Sequence, residues 1–492
     1  MEQYKNYIDG EWVGAQSGET YENINPANGE VLGLFPKSSS ADVKKAIDAA
    51  VAAYGKWRLM PAPKRGEILL RAGQLLIERK EMYAKEMTEE MGKVLNEARG
   101  DVQEAIDMTI FAAGEGRRML GDTTPSELEN KFCMSVRMPI GIIACITPWN
   151  FPMAIPSWKI IPALVAGNTV VFKPARYTPK CAWNLIKALE DAGIPKGVVN
   201  LVYGFGGEVG NPLIEDTRIG MVSFTGSTEI GTRLEEKCPK THKRVSCEMG
   251  GKNAIIVLDD ADTDLAVDGI IWSAFGTTGQ RCTAASRIIV QKSVLGELQK
   301  KLVARTKALR LGNGLDRSTD VGPVINGEQR EKIHEYTQIG IKEGAKLLCG
   351  GEFASEGNLA KGFFYKPTVF GDVRPNMRIA QEEIFGPTTA MIPVDTFEEA
   401  IEVNNNTQFG LSTSVYTRDV NKAFVAMRDI YTGLVYINAG TIGAEVHMPF
   451  GGTRGTGNGH REAGQSALDT FTEWKTIFVD FSGRLQKAQA IE

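Results

Sequence analysis

One cysteine, Cys282, stands in a part of the sequence that suits nucleophilic chemistry. It follows a glycine turn and Arg281, and a run of small residues comes after it. A thiol reacts as the thiolate, and a nearby positive charge or a helix N-terminus lowers its pKa. Small neighbours leave room for a carbonyl carbon to approach the sulfur. We therefore expect Cys282 to attack a carbonyl substrate.

Two other segments supply the groups that such an attack needs. Residues 248–253, EMGGKN, place the carboxylate of Glu248 on a glycine-rich turn, and residues 147–152, TPWNFP, hold the amide of Asn150 between prolines. A carboxylate can serve as a general base, and an amide can donate a hydrogen bond to a developing oxyanion. The three segments together indicate a nucleophile, a base and an oxyanion donor.

The composition is that of an ordinary globular chain. Of its 492 residues, 42% are hydrophobic and 24% are charged, and the formal net charge is −4. This length predicts two to four domains, and the charge offers no basic surface for nucleic acid. The sequence has no apolar stretch long enough for a membrane helix and no signal peptide at its start. We therefore expect a cytoplasmic protein without a membrane partner.

Cysteine and histidine are too scattered to predict a metal site or a disulfide framework. The seven cysteines include no CxxC pair, and only four histidines occur. A zinc site and a set of disulfides are therefore not expected, and most of the other cysteines are interpreted as small buried hydrophobes. A histidine-based mechanism is an alternative that this composition does not favour.

Hydrophobic periodicity predicts an α/β fold. Residues 41–118 show the repeat of long amphipathic helices, whereas residues 138–258 alternate short apolar runs with helical stretches. The runs 142–146, 169–172 and 199–202 are typical of buried parallel strands in a doubly wound sheet. A second such region covers 254–449, and residues 471–481 alternate like a strand.

A strand, a turn and a helix start are predicted at residues 221–231. Gly226 and Gly231 have the spacing G-x4-G, which is neither the GxGxxG fingerprint nor a P-loop. Backbone N–H groups at such a helix start can receive a pyrophosphate, but from the residues alone a plain strand–helix turn explains the pattern better. Residues 204–207 miss the GxGxxG fingerprint because Val209 occupies the third glycine position, and we interpret them as a loop.

Taken in order, the motifs of the chain resemble those of the large NAD(P)-dependent aldehyde dehydrogenase superfamily. The resemblance runs from about residue 4 to the last residues. It is carried by PWNFP at 148–152, FTGST at 224–228, EMGGK at 248–252, GQRC at 279–282, EIFGP at 383–387 and PFGG at 449–452. This resemblance implies an enzyme that oxidises aldehydes to carboxylic acids.

The resemblance also implies an architecture. It predicts two doubly wound, Rossmann-like parallel-sheet domains and a small β oligomerisation element. The cofactor-binding domain would comprise residues 1–118 and 138–250, the catalytic domain 251–453, and the oligomerisation element 119–137 and 470–492. Because an apolar edge strand tends to seek a partner, a homodimer or homotetramer is expected, with Glu473 at its interface.

Family positions predict the contacts of an NAD or NADP cofactor. They are Ile146, Thr147, Trp149, Lys173, Ala175, Arg176, Gly206, Phe224, Gly226, Ser227, Gly250, Glu383 and Phe385. NAD-preferring members often carry a glutamate where this chain has Arg176, and a guanidinium suits the 2′-phosphate of NADP. We therefore predict that NADP is accepted alongside or above NAD, and a solvated arginine is the alternative. From the residues alone, Glu383 is part of an acidic doublet before a turn.

The resemblance implies a thioester mechanism. Cys282 attacks the aldehyde carbon, the Asn150 amide and a backbone N–H bind the oxyanion, and hydride passes to the nicotinamide. Glu248 then activates the water that hydrolyses the thioester. Members that pass the acyl group to coenzyme A generally lack this glutamate, so hydrolysis is expected. Lys159 and Glu462 match a proton relay to Glu248, for which a simple ion pair is the alternative.

Only a few residues bear on the identity of the substrate. Phe151, Ile155, Trp158 and Phe450 match positions that line the substrate tunnel, although aromatic residues near prolines often belong to a plain core. Their types favour a broad range of apolar aldehydes. Residues 443–445, GAE, resemble the aminoadipate-semialdehyde branch, where this region helps to hold the amino-acid end, but residues 446–448 depart from it. An amino-acid semialdehyde is therefore the alternative substrate.

Two other classes of function compete with a dehydrogenase. A cysteine hydrolase would use Cys282 and Glu248 without a cofactor, and a dinucleotide-binding scaffold would need neither residue. Dependence of turnover on NAD(P) separates the hydrolase from the dehydrogenase. The cysteine, the glutamate and the asparagine occurring together argue against the scaffold.

Overall fold

The computed structural model describes residues 1–487 and residue 489, and helices alternate with strands over most of this range. The elements of the first half are, in chain order, β1 (Asn6–Ile8), β2 (Glu11–Val13), β3 (Thr20–Ile24), β4 (Val31–Pro36), α1 (Ser40–Trp57), α2 (Ala62–Met91), α3 (Leu95–Glu115), β5 (Thr123–Pro125), β6 (Lys131–Pro139), β7 (Ile142–Ile146), α4 (Ala154–Ala166), β8 (Thr169–Lys173), α5 (Pro179–Asp191), β9 (Val199–Leu201), α6 (Asn211–Glu215), β10 (Ile219–Thr225), α7 (Thr228–Lys237) and β11 (Arg244–Glu248).

The second half continues the same alternation. Its elements are β12 (Asn253–Val257), α8 (Thr263–Phe275), β13 (Ala285–Gln291), α9 (Lys292–Lys307), α10 (Gly327–Lys342), β14 (Lys346–Cys349), β15 (Thr368–Gly371), α11 (Arg378–Gln381), β16 (Thr388–Val394), α12 (Phe397–Asn405), β17 (Ser412–Tyr416), α13 (Val420–Asp429), β18 (Leu434–Ile437), α14 (Ser466–Phe471) and β19 (Thr472–Asp480). Within the described residues, no helix has the length and apolarity needed to cross a bilayer.

Two seven-stranded sheets form the body of the fold. Their strand orders are β11-β10-β7-β8-β9-β1-β2 and β14-β15-β16-β13-β12-β17-β18. The central strands of both sheets pair in parallel, and their side chains are almost all buried, as expected for sheets covered by helices on both faces. The predicted α/β class with two parallel-sheet domains is therefore confirmed.

One edge of each sheet is antiparallel, which the sequence patterns did not predict. Strand β1 pairs antiparallel with both β9 and β2, and β14 pairs antiparallel with β15. Strands β1 and β2 are joined by Asp9 and Gly10, whose φ angles are 52° and 77°. Two positive φ angles in a two-residue loop are typical of a tight hairpin, which needs no helical crossover.

A third sheet, in the order β19-β6-β5, contains the predicted C-terminal strand. Strand β19 pairs with β6 along its whole length and exposes Trp474, Phe478 and Val479. An apolar edge of this kind favours pairing with another chain. The domain boundaries and the dimer or tetramer remain proposals, and residues 488 and 490–492 of the predicted oligomerisation element lie outside the described residues.

Helices α1, α2 and α3 account for the predicted helical region, and α3 packs against α4 beside the candidate site. Helix α2 ends at Gly92, where a φ of 90° stops the helix, and a side chain there would meet the Pro323 ring at 2.6 Å. Helix α4 likewise ends at Gly167 with a φ of 100°. These two glycine stops define where α2 and α4 end, next to the residues described below.

Candidate active site

A cavity of about 100 Å³ brings together residues from distant parts of the chain. Its lining consists of Glu104, Phe151, Ile155, Trp158, Thr225, Glu248, Met249, Arg281, Cys282, Thr283, Leu411, Gly443, Ala444, Phe450 and Glu462. The predicted nucleophile, the predicted base and all four predicted tunnel residues therefore surround one space. Trp158 and Phe450 contact each other edge-on, with ring centroids 4.8 Å apart, and form part of the apolar wall.

The segment that carries Cys282 is a strained turn fixed by hydrogen bonds. Thr277 and Thr278 both have positive φ angles, 51° and 59°, which non-glycine residues rarely adopt. The Asn253 side chain donates to the carbonyl oxygens of Cys282, at 2.7 Å, and of Ala284, at 2.9 Å. A side chain at Gly251 would meet the Cys282 carbonyl oxygen at 2.6 Å, so this close approach requires glycine. Asn253 thus holds the nucleophile's backbone, a role that its motif did not reveal.

The neighbouring arginine does not activate the thiol as expected. Burial raises the pKa of the Cys282 thiol to about 12, and the carboxylates of Glu248 and Glu383 add to the effect. The Arg281 guanidinium is instead engaged by Glu97, at 3.4 Å, and by Thr277, at 2.9 Å. The prediction that adjacent positive charge lowers this pKa is therefore wrong. The Cys282 thiol must therefore lose its proton before it can attack.

Glu248 is a buried carboxylate at the end of β11, next to a buried ion pair. Burial and the neighbouring Glu462 carboxylate raise the pKa of Glu248 well above its ordinary value, although Lys159 acts in the opposite direction. Lys159 is fully buried, contacts the Glu462 carboxylate and donates to Ser223 Oγ at 3.1 Å. Oε1 of Glu248 has no partner among the described residues, so it is free to accept a proton.

Asn150 is buried in the segment between β7 and α4, which belongs to no helix or strand. Its side-chain oxygen has no hydrogen-bond partner within residues 1–487 and 489. Asn150 and Lys159 do not line the cavity themselves, but Phe151, directly after Asn150, does. The structure thus brings the predicted oxyanion donor next to the cavity wall.

Helix α3 presents a row of carboxylates toward the site, which the sequence analysis missed. Glu97 binds Arg281, Asp101 pairs with Lys93 at 2.9 Å, and Glu104 lines the cavity. Residues 97, 101 and 104 share one helix face, because positions i, i+4 and i+7 are neighbours on a helix. Partial burial, with a contribution from Asp101, raises the pKa of Glu104 to about 8. The spacing was visible in the sequence, but it is equally typical of a solvated face.

A second cavity, of about 330 Å³, lies beside the strand–turn–helix at β10 and α7. It is lined by Ile146, Lys173, Gly206, Gly207, Gly210, Asn211, Ile214, Phe224, Ile230, Arg233, Leu234 and Lys237. Four of the predicted cofactor residues therefore meet here. The interpretation of residues 204–207 as a loop is wrong in part, since Gly206–Gly210 form a π-helical turn that leads into α6. Burial lowers the pKa of Lys173 to about 8.

Several other predicted cofactor residues lie close in sequence to the lining of this cavity and make defined contacts. Ser227 is the N-cap of α7, where its side chain accepts from the Ile230 N–H at 3.4 Å. Gly226 leaves no room for a side chain, which would meet the Phe224 ring at 2.5 Å. Thr147 donates its N–H to the Lys173 carbonyl at 3.3 Å, and the Ala175 carbonyl accepts from Thr178 at 3.4 Å.

Glu383 contacts the glycine turn that follows Glu248, and Phe385 contacts Trp149. The Glu383 carboxylate accepts from the Gly251 N–H at 2.9 Å and approaches Gly250 so closely that any side chain there would collide with it. Burial raises the pKa of Glu383. The rings of Phe385 and Trp149 meet edge-on, with centroids 5.5 Å apart. Glu383 is therefore held by the backbone of the glycine turn, whereas Glu382, the other half of the acidic doublet, is partly exposed and pairs with Arg378.

Arg176 is half-buried against two aromatic rings. Its guanidinium lies 4.6 Å from the Tyr177 ring centroid and 5.1 Å from that of Phe205. It also donates to the Tyr177 hydroxyl. Arg176 does not line the second cavity itself. It lines a separate cavity of about 200 Å³ together with Tyr177 and Phe205, which directly precedes Gly206 of the second cavity.

Comparison with known proteins gives a consistent result. The family described as "Aldehyde dehydrogenase family" matches residues 12–477. The chain is 41% identical to an alpha-ketoglutaric semialdehyde dehydrogenase of Bacillus subtilis, over 97% of this chain and 98% of that protein. It is 40% identical to an NADP(+) succinate-semialdehyde dehydrogenase of Escherichia coli, over 96% of this chain and 97% of that protein.

A solved structure agrees with this assignment. A betaine aldehyde dehydrogenase from Staphylococcus aureus in complex with NAD+ superimposes with a TM-score of 0.96 at 34% identity, and the match covers 98% of this chain and 95% of that chain. The predicted class, an NAD(P)-dependent oxidoreductase acting on aldehydes, is thereby confirmed. The chain belongs to the aldehyde dehydrogenase family.

Proposed function

We propose that this enzyme oxidises a semialdehyde with a charged amino-acid end to the carboxylic acid, using NAD(P)+. Cys282 attacks the aldehyde carbon as the thiolate, after its proton has passed to solvent water. Glu248, whose pKa is raised by burial, is the base for the later hydrolysis. The Asn150 amide binds the oxyanion. A bound nicotinamide cofactor would accept the hydride, and Glu248 then activates the water that hydrolyses the thioester to the acid. Glu462 and Lys159 adjust the basicity of Glu248.

The single observation that carries the substrate assignment is the carboxylate of Glu104 in the cavity lining. Arg281, which lines the same cavity, already contacts Glu97 and Thr277. A carboxylate in a largely apolar cavity is stabilised by a cation, so an ammonium group on the substrate would complete the pair. Gly443 and Ala444 line the same cavity, which is consistent with the GAE segment holding an amino-acid end.

We predict that Glu104→Leu changes which aldehyde the enzyme prefers. Truncating one partner of a buried charge pair costs about 2 kcal/mol or more, so KM for aminoadipate semialdehyde should rise by about 30-fold or more while kcat changes little. KM for hexanal, which has the same chain length without charges, should fall because the cavity becomes more apolar. Steady-state kinetics with both aldehydes measures this change.

A matched control and two competing substrates make the test decisive. Asp107→Leu removes an exposed carboxylate three residues along the same helix and should alter neither KM. Glutarate semialdehyde, which has a carboxylate but no ammonium, represents the semialdehydes named for the relatives. Wild-type preference for that compound would replace our proposal with an acid-ended substrate, and preference for hexanal would support broad apolar specificity.

The residues around the second cavity fit a dinucleotide. The α7 N-terminus and the turn at Gly226 suit a pyrophosphate, and the buried Lys173 can donate to a ribose hydroxyl. The close approach of Glu383 to Gly250 forms a cradle that any side chain would fill, which suits the second ribose. When bound, the cofactor supplies the hydride acceptor.

We predict that Arg176→Glu reverses the cofactor preference. A charged hydrogen bond to a phosphate is worth about 1.5–3 kcal/mol, so the ratio of kcat/KM for NADP to that for NAD should fall by at least about 10-fold. Arg176→Gln, which removes the charge without reversing it, should give an intermediate ratio. A wild-type preference for NAD of a hundredfold, combined with an unchanged ratio in Arg176→Glu, would contradict the role of this arginine.

A further inference from the structure

A buried ion pair lies against the backbone of Asn150. The side chains of Lys93 and Asp101 are fully buried, and Lys93 Nζ lies 2.9 Å from Asp101 Oδ2. Lys93 Nζ also donates to the main-chain carbonyl oxygen of Asn150 at 2.7 Å. A buried charge pair adds little stability compared with apolar residues of the same volume. Its position therefore calls for another explanation.

The two charged groups hold the Asn150 segment on both sides. Asp101 Oδ1 accepts from the Ala154 N–H at 2.8 Å and from the Met153 N–H at 3.4 Å, which fixes the start of α4. The Lys93 ammonium lies 3.9 Å from the ring centroid of Phe151, the next residue along the chain. Residues 147–153 have no strand or helix of their own to fix them. The ion pair thus supports the Asn150 end of the segment between β7 and α4.

We propose that Lys93, held in place by Asp101, is a positioning residue that aims the Asn150 amide at the oxyanion. The proposal rests on the oxyanion role of Asn150 in the proposed function. The Asn150 side-chain oxygen has no partner among the described residues, so the direction of the amide depends on the backbone of Asn150. Lys93 donates a hydrogen bond to that backbone. Misplacing a catalytic group by about 1 Å can cost 100-fold in rate. The same lysine contacts Phe151 and so also fixes one wall of the cavity.

The test is a double-mutant cycle on the first turnover. Lys93→Met, which keeps an unbranched side chain one atom shorter but removes the charge, is made in the wild type and in Asn150→Ala. The burst of reduced cofactor is followed by rapid mixing. We expect Lys93→Met to slow the burst by about 10- to 100-fold in the wild type and by less than about 3-fold in Asn150→Ala. Lys93→Arg should recover part of the rate.

A buried control variant separates positioning from folding. Arg65 is a buried cation that donates to the Val165 carbonyl at 2.9 Å, near the far end of α4, so Arg65→Met should change the burst by the same factor in both backgrounds. Equal factors for Lys93→Met in both backgrounds would overturn the positioning role and leave the proposed function intact. A burst unaffected by Asn150→Ala would overturn the oxyanion role as well. Where Lys93→Met does not fold, the isosteric Asp101→Asn enters the same cycle with the same expected result.

Discussion

Replacing Cys282 with alanine is expected to abolish aldehyde oxidation. The sulfur forms the covalent bond to the substrate, and none of the other residues that line the cavity is a cysteine. Removing the nucleophile of a catalytic unit lowers kcat by a factor on the order of 10⁴–10⁶. Absorbance of the reduced cofactor at 340 nm measures this loss directly.

The control for this variant is Cys181→Ala, which removes a buried thiol of α5 outside the cavity lining. It should retain turnover close to that of the wild type. Both variants should bind NAD(P)+ as the wild type does, because neither residue lines the second cavity. Substantial NAD(P)-dependent turnover by Cys282→Ala would rule out the thioester mechanism.

Glu248→Gln is expected to separate acylation from deacylation. Because Glu248 activates the hydrolytic water, steady-state turnover should fall by about 10²- to 10⁴-fold. The first turnover should still give a burst of reduced cofactor, since hydride leaves before hydrolysis. If the burst and the steady-state turnover fell by the same factor, Glu248 would instead act in acylation.

The pKa of Glu248 also sets the direction of the pH dependence. Burial and Glu462 raise this pKa, so the carboxylate loses its charge as the pH falls through a value well above the ordinary carboxyl range of about 4.3. The wild-type kcat should therefore decline on the acid side at that higher pH. Lys159→Met removes a charge that lowers the pKa and should move the decline to higher pH, whereas Glu462→Gln should move it to lower pH.

The α/β fold and the composition of the cavity follow from sequence because they depend on local signals. Short β-branched runs such as 142–146 formed buried parallel strands, and the motifs around Cys282 and Glu248 came to line one cavity. Each motif carries its own turn residues, so a few neighbouring residues determine its local conformation. The hairpin of β1 and β2 at the edge of the first sheet was not predicted. Its strands are joined by a short turn, so the sequence there lacks the alternation of strands and helices that marks parallel strands.

The electrostatics could not be predicted in the same way. The pKa of Cys282 depends on burial and on carboxylates that are distant in sequence, such as Glu383, and the adjacent Arg281 is turned toward Glu97. Only the tertiary structure reveals these partners. Lys93 and Glu104 illustrate the same limit, because a lysine after a helix end and a glutamate on a helix are ordinarily solvated.

The central claim is a covalent acyl intermediate on Cys282 that Glu248 helps to hydrolyse. It is tested most directly by quenching Glu248→Gln during turnover and analysing its peptides by mass spectrometry. The account predicts that the Cys282 peptide gains the mass of the acyl group in the presence of aldehyde and NAD(P)+, and not when the cofactor is omitted. An unmodified Cys282 peptide, or an acyl group on another residue, would contradict it.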